Sequence, residues 1–401
     1  MNQNILVISS LCSKNVFSNI QKTSSDKSGH QIQKYLDLLT KGMSALDECN
    51  IEVLSSLPIH HTINKKKLWL FSQEKNDQIN YNVIPTLNLP ILKNSIDFIY
   101  TFLKILRWKD DPSLHNKTVL VDALKMSASF AAILACKIKK IQIVSLVTDM
   151  PGIDVFEKTI KSKLKTIVIK FFVPMSDGFI FVAPLMNNIL NPRKKPYMVL
   201  EGLVDYAMST KCNEFSKKHK ERVIIYSGGI YERYGVKKLI EAFNSLDASD
   251  IRLHIYGPGS MKESMHKYTQ KDDRVKYMGV VENEILVVEQ IKATLLVNPR
   301  PSCEELTKYS FPSKNIEYMV SGTPMVTTKL EGMPSEYYPY VYMFHDEDVD
   351  SMNKTLFSLL NKSRLELHEY GKHAKEFVLE NKNNIIQGER IMEFIANKVT
   401  V

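Results

Sequence analysis

The chain is poor in cysteine. Five occur among 401 residues, Cys12, Cys49, Cys136, Cys212 and Cys303, and no two are spaced as C-x-x-C. An odd, scattered set excludes a disulfide framework and a zinc ribbon, and points to reduced thiols in a cytoplasmic protein. Long apolar runs are also missing. The most apolar helical stretch, MSASFAAILAC at Met126–Cys136, is far shorter than the roughly 20 residues that cross a bilayer. The opening NILVISS has neither a basic n-region nor a small-residue cleavage site, so no secretory leader is expected. There is no Arg-rich arm, no RNP-like aromatic pattern and no zinc-finger spacing, so nucleic acid is not expected as a partner. No solenoid repeat and no low-complexity tract interrupts the chain.

What is present is ordinary globular material, with 44% apolar and 24% charged residues. The length suits two domains of about 200 residues. The net charge of +9 fits a polyanionic small molecule or an anionic membrane surface, or reflects Lys used as surface filler.

Short apolar, β-rich runs alternate with helical patterns. The first series is NILVISS, IEVLSS, YNVIP, TVLVDA, IQIVSLV and GFIFV. The second is RVIIYSG, IRLHIYG, RVKYMG, ATLLVNP, PMVTT and YVYMF. Most are unbroken rather than alternating, as parallel strands buried on both faces require. Two series of six predict two doubly wound α/β domains, with ligand beyond the carboxyl ends of the strands. Pattern is lost between Leu200 and Arg222, and Ser363–Val401 reads as two helices. The expected boundaries are 1–203, 204–384 and a C-terminal helix 385–401.

The second series carries the candidate chemistry. In RVIIYSGGIYERYGVKKLIEAF a strand runs into Gly228-Gly229, and a helix after Gly235 shows Val236, Leu239, Ile240 and Phe243 on one face. Glycines there let backbone approach a bulky anion, the helix start adds free N–H groups, and Arg233 adds a charged fork. The same pattern also serves an ordinary strand-to-helix turn. A second strand ends in Gly257-Pro258-Gly259, and a third turns at Gly279 before Val280. In YSFPSKNIEYMVSGTPMV, Ser313 is expected to cap a helix from about Lys314 to Ser321, with Gly322 ending it. Glu317 lies one turn inside. Its two oxygens match a vicinal diol such as that of ribose, and a solvated helix glutamate is the alternative.

Taken together, Tyr226–Val326 resembles the donor half of family-4 glycosyltransferases, which have the GT-B fold, two facing Rossmann-like domains with a cleft between them. The resemblance rests on YSGGIYERYGVKKLIEAF, IYGPG, MGVVENEILVVEQIKATLLVNPRPS and FPSKNIEYMVSGTPMV. The first half matches through NILVIS and through MVLEGLVD at the junction. It looks most like enzymes of bacterial surface-polysaccharide assembly. The resemblance implies transfer of a sugar, with retention, from a nucleotide-diphosphate donor, UDP-sugar being expected, with no bound cofactor and no metal. It implies that Glu317 holds the ribose, that Gly228, Gly229 and Gly257 belong to the phosphate loops, and that Val280 meets the base. The family's usual Arg and Lys fall on Gly229 and Tyr234, so Arg233, Lys308 or Lys314 is expected to substitute, with Ser313 beside them. The acid eight residues before the ribose carboxylate is replaced by Tyr309, while Glu305 completes P-S-x-x-E in a loop about four residues longer. The last helix is expected to return to the first domain.

On the acceptor side, Asp149 either orients an acceptor hydroxyl or caps the next helix, and His30 is a polar loop residue or reaches the cleft. In Val155–Val173, Phe156, Ile160, Leu164, Ile167 and Phe171 form an apolar stripe opposite Lys158, Lys161 and Lys165. The stripe is expected to pack on the sheet, with the lysines in water or toward anionic lipid. Asp346-Glu347-Asp348 looks like a metal-binding D-x-D, but it directly precedes a helix and reads as its capping acids. The leading expectation is a cytoplasmic enzyme acting on a lipid-linked glycan at the inner membrane face. The alternatives are a non-catalytic GT-B partner subunit and a soluble protein O-glycosyltransferase.

Overall fold

The structure, a computed structural model, describes residues 3–25, 29–46, 49–76, 78–109, 116–150 and 160–399; the side chains at 160–163, 165 and 306 lie outside that description. The chain divides into two compact units, 1–203 with 384–401, and 204–383.

The first unit is built on an eight-stranded sheet. Its order is Tyr197–Val199, Gly178–Phe181, Gln142–Val147, Asn116–Asp122, Gln3–Ser9, Cys49–Ser55, Ile79–Val83, Glu74–Asn76. All pairings are parallel except the last, where Glu74–Asn76 runs antiparallel to Ile79–Val83. The series of six expected here is therefore extended at both edges. These extra strands have three residues each, too short to leave an apolar run in the sequence. Every residue of Gln3–Ser9 is buried, as a central parallel strand with helices on both faces demands. The strand order reverses between Gln3–Ser9 and Asn116–Asp122.

The C-terminal helix Asn384–Asn397 belongs to this unit and packs on the helix His30–Ser44, where Gly42 and Gly388 bring backbone against backbone. His30 opens that helix rather than sitting in a loop, and its ring meets Phe17 edge-on at 5.0 Å.

The helix Ile160–Phe172 corrects the expected stripe. Leu164, Ile167 and Phe171 are 60, 65 and 75% exposed, while Ile169 and Phe172 are buried. Phe172 packs against Phe130 at 5.4 Å between ring centres, so the i, i+3 pair Ile169 and Phe172 supplies the inner face. Lys158 lies outside the described residues, as do Phe156 and the side chains of Ile160, Lys161 and Lys165.

The second unit carries a six-stranded parallel sheet in the order Val275–Gly279, Ile251–Tyr256, Arg222–Ser227, Leu295–Asn298, Met325–Thr327, Tyr342–Met343. The order reverses between Arg222–Ser227 and Leu295–Asn298. Val236, Leu239, Ile240 and Phe243 are fully buried on one side of this sheet, as the 3.6-residue period predicts. Among the described residues no helix is long and apolar enough to cross a membrane.

Candidate functional site

In a doubly wound sheet, ligands bind where the strand order reverses, beyond the carboxyl ends. In the second unit that place is bounded by the loops after Ser227 and Asn298. The helix Ser313–Val320 stands beside them, and buried polar bonds fix it there. Tyr318 Oη accepts from the Ser227 N–H at 2.8 Å. The fully buried Asn315 accepts from Asn298 Nδ2 at 2.7 Å, and its own amide donates to Thr327 Oγ1 at 3.3 Å. One helix is thereby tied to the strands on both sides of the reversal.

The helix begins one residue earlier than expected. Pro312 occupies the cap position, and Ser313 is the first helical residue and exposed, with no side-chain cap. The Asn315 N–H already donates to the Pro312 carbonyl at 2.8 Å, which closes the first turn without the Ser313 hydroxyl. Gly322, at φ +74°, ends the helix.

Gly228 has φ +140°, and a Cβ there would collide with Cε and Nζ of Lys314. The missing side chain is what admits the Lys314 ammonium to the loop after Ser227. That ammonium donates to Tyr226 Oη at 3.1 Å and lies 4.7 Å from the Tyr226 ring centre. Tyr226 Oη in turn donates to the Gly229 carbonyl at 2.7 Å. Burial lowers Lys314 to about 8, with Arg300 adding to the fall and Glu317 opposing it. Glu317 is three residues along the same helix face and half-buried. Gly257 presses on Gly228: a Cβ there would strike the Gly228 carbonyl. Its visible role is to let two loops touch.

Around this loop, Arg233 and Arg300 both lie over the Tyr234 ring, at 5.0 and 5.6 Å. Arg300 was missed in the sequence; its signal was its place two residues after Asn298, at the strand reversal. The rings of Tyr231 and Tyr234 fill the space a side chain at Gly229 would need. Lys308 sits apart from this cluster in its pairing, 3.6 Å from Glu331. Glu305 is exposed and Tyr309 half-buried on the turn Glu305–Tyr309. The preceding loop is held from an unforeseen direction, since Glu347 Oε1 accepts from the Ser302 N–H at 2.8 Å. Asp348 caps the helix Val349–Leu360, accepting from the Ser351 N–H at 2.8 Å. Val280 is 69% exposed just past Gly279.

In the first unit, Asp149 is exposed and its carboxylate accepts from the Met150 N–H at 2.8 Å. The segment it was expected to cap, 151–159, lies outside the described residues.

Two Rossmann-like α/β units on this strand order define the GT-B fold. Sucrose-phosphate synthase from Thermosynechococcus elongatus superposes with a TM-score of 0.67 at 14% identity, covering 98% of both chains. The lipopolysaccharide outer core galactosyltransferase WaaB gives 0.62 at 15% over 98% of this chain and 99% of its own. Anabaena HepE in complex with UDP gives 0.62 at 12% over the same shares. No curated protein sequence matches the chain. Residues 209–377 match the family model described as Glycosyl transferases group 1, and that stretch lies wholly within the second unit. The chain therefore has the GT-B fold, and its second unit is similar to group 1 glycosyl transferases over the matched residues.

Proposed function

We propose that the protein moves a sugar, with retention, from a UDP-sugar to a lipid-linked glycan during assembly of a surface polysaccharide. The observation that carries the donor half of this reading is the Lys314 ammonium held against the Gly228-Gly229 loop, with Glu317 three residues along the same helix. A diphosphate at the loop gains one compact cation, the helix N-terminus and backbone N–H groups. The ribose hydroxyls then meet Glu317, and the base lies toward Val280. Lys314 supplies the charge that the family's usual Arg and Lys would bring, which favours an active enzyme over a non-catalytic partner subunit. Glu305 and Tyr309 are assigned to the donor sugar, and Asp149 to an acceptor hydroxyl. No metal is assigned a role. The UDP in complex with HepE and the lipopolysaccharide outer core in the name of WaaB support the nucleotide and the acceptor class.

A specific observation also favours work at a membrane face rather than on a soluble protein acceptor. Leu164, Ile167, Val168 and Phe171 all project into solvent from Ile160–Phe172, with the exposed Lys170 among them. An apolar face with flanking cations suits anionic lipid headgroups, which supports a cytoplasmic enzyme at the inner face of the membrane.

The test is Glu317→Ala. Two charge-assisted hydrogen bonds, each worth about 1.5–3 kcal/mol, are lost, so UDP-sugar affinity falls at least tenfold while the melting temperature holds. Normal donor binding by this variant sinks the ribose assignment.

A further inference from the structure

The first unit has its own strand reversal, and a cavity of about 270 Å³ opens beside it. Its walls include Ser56, just past the strand Cys49–Ser55, and Lys125, just past Asn116–Asp122. Lys93 and Asp97 enter from the helix Leu92–Leu106, and Ser127 and Ala128 from the first turn of Met126–Lys139.

Asp97, Lys93 and Lys125 line this cavity, and the ion pair there joins Asp97 to Lys93 rather than to Lys125. Asp97 is 3% exposed. Its Oδ2 accepts from Ser56 Oγ at 2.7 Å and lies 3.4 Å from Lys93 Nζ. Its Oδ1 is buried with no hydrogen-bond partner among the described residues. Lys125 heads the second helix, and among the described residues its ammonium meets no acceptor. Burial holds it below the usual lysine range, with Lys93 adding to that effect and Asp122 and Asp97 opposing it.

We propose that this cavity is a saccharide subsite, in which one sugar hydroxyl donates to Asp97 Oδ1 and a neighbouring oxygen accepts from Lys125 Nζ. A buried carboxylate oxygen without a donor is costly, and the half-buried Lys125 ammonium on the cavity wall has N–H donors to offer. A vicinal diol answers both, because each hydroxyl donates and accepts. An inorganic anion answers only one. It would suit Lys93, Lys125 and the helix start, yet it would face the unpartnered Asp97 oxygen with a like charge. The cavity lies just below the range of drug-sized ligand sites, which leaves room for one ring. The inference rests on the reading of the first unit as the acceptor side, and it assigns the terminal acceptor sugar to Asp97, Lys125 and Lys93.

Saturation-transfer NMR on the full chain without nucleotide tests it, using methyl glucoside, methyl galactoside, methyl mannoside and inorganic phosphate as probes. At least one methyl hexoside receives saturation at millimolar concentration, and phosphate does not displace it. Lys125→Met and Asp97→Asn each weaken that binding at least tenfold and leave UDP affinity within twofold of the parent. If Asp97→Asn does not fold, acylation of Lys125 in the parent, followed by mass spectrometry, carries the test: the hexoside slows it. Binding of no hexoside, displacement by phosphate, or unchanged affinity in a folded variant overturns the subsite. UDP titration keeps the two readings separate, since its failure strikes the donor assignment alone.

Discussion

Lys314 offers the sharpest prediction, because its ammonium is both buried and placed against Gly228. With a value of about 8, it is about nine-tenths protonated at pH 7 and about one-tenth at pH 9. A bound diphosphate favours the charged form and raises that value, so binding draws in a proton wherever the free lysine is neutral. The affinity for UDP is therefore greatest below pH 8 and falls as pH rises through it. Between pH 7 and 9 the dissociation constant rises about tenfold, or about 1.4 kcal/mol. The terminal phosphate of UDP ionises near pH 6, below this window, so it does not supply the slope. Calorimetry at pH 8 in two buffers of different ionisation enthalpy measures the proton directly, and about half a proton per UDP is expected. Lys314→Gln weakens binding at pH 7 by about 1.5–3 kcal/mol and flattens the profile. A parent profile that is flat from pH 7 to 9, or a Lys314→Gln profile with the same slope, refutes this placement of the diphosphate.

Lys218 gives a stability test. Its ammonium donates to the carbonyls of Ile291 and Ala293 and to Thr323 Oγ1 at 2.7, 2.9 and 2.9 Å, and burial lowers it to about 7, with Arg364 adding. The unfolded chain then binds the extra proton between about pH 7 and 10.4, so stability from this group rises with pH across that window, by at most about 1.4 kcal/mol per unit. Denaturant melts at pH 7 and 9 should show that rise in the parent and lose it in Lys218→Met, which also drops by about 1–3 kcal/mol through its unpaired acceptors. Asp348→Ala should cost about 1 kcal/mol through the lost cap and leave turnover intact, and transfer should persist in excess EDTA; activity lost to EDTA and restored by manganese would oppose the metal-free diphosphate site. Ile167→Ser with Phe171→Ser should reduce sedimentation with anionic vesicles without lowering the melting temperature. Equal sedimentation of parent and variant would remove lipid as the partner of that face.

Much was legible in the sequence because parallel sheets write themselves plainly. Strands such as Ile251–Tyr256 and Leu295–Asn298 are short apolar runs closed by small residues, and both ends were readable to within two residues. The helix around Glu317 was readable for a similar reason, with Pro312 before it and Gly322 after it. Periodicity could not say which face of Ile160–Phe172 turns inward. Two apolar faces compete along that helix, and only the neighbouring Phe130 decides for Phe172. The three-residue edge strands carried too few residues to make a pattern. The candidate site was half visible. Glycines and a lone carboxylate mark a loop and a helix, but the cation between them depends on contact across distant sequence. Lys314 lies 86 positions beyond Gly228, and the absence of one Cβ lets them meet. Arg300, and the Asn298–Asn315 bond that seats the helix, are likewise ordinary surface or turn residues until the strand order brings them together. Local chemistry sets the elements, through apolar period, caps and turns. Which charged groups share a site is decided by the order of strands in the sheet, and that order is a property of the whole packed chain.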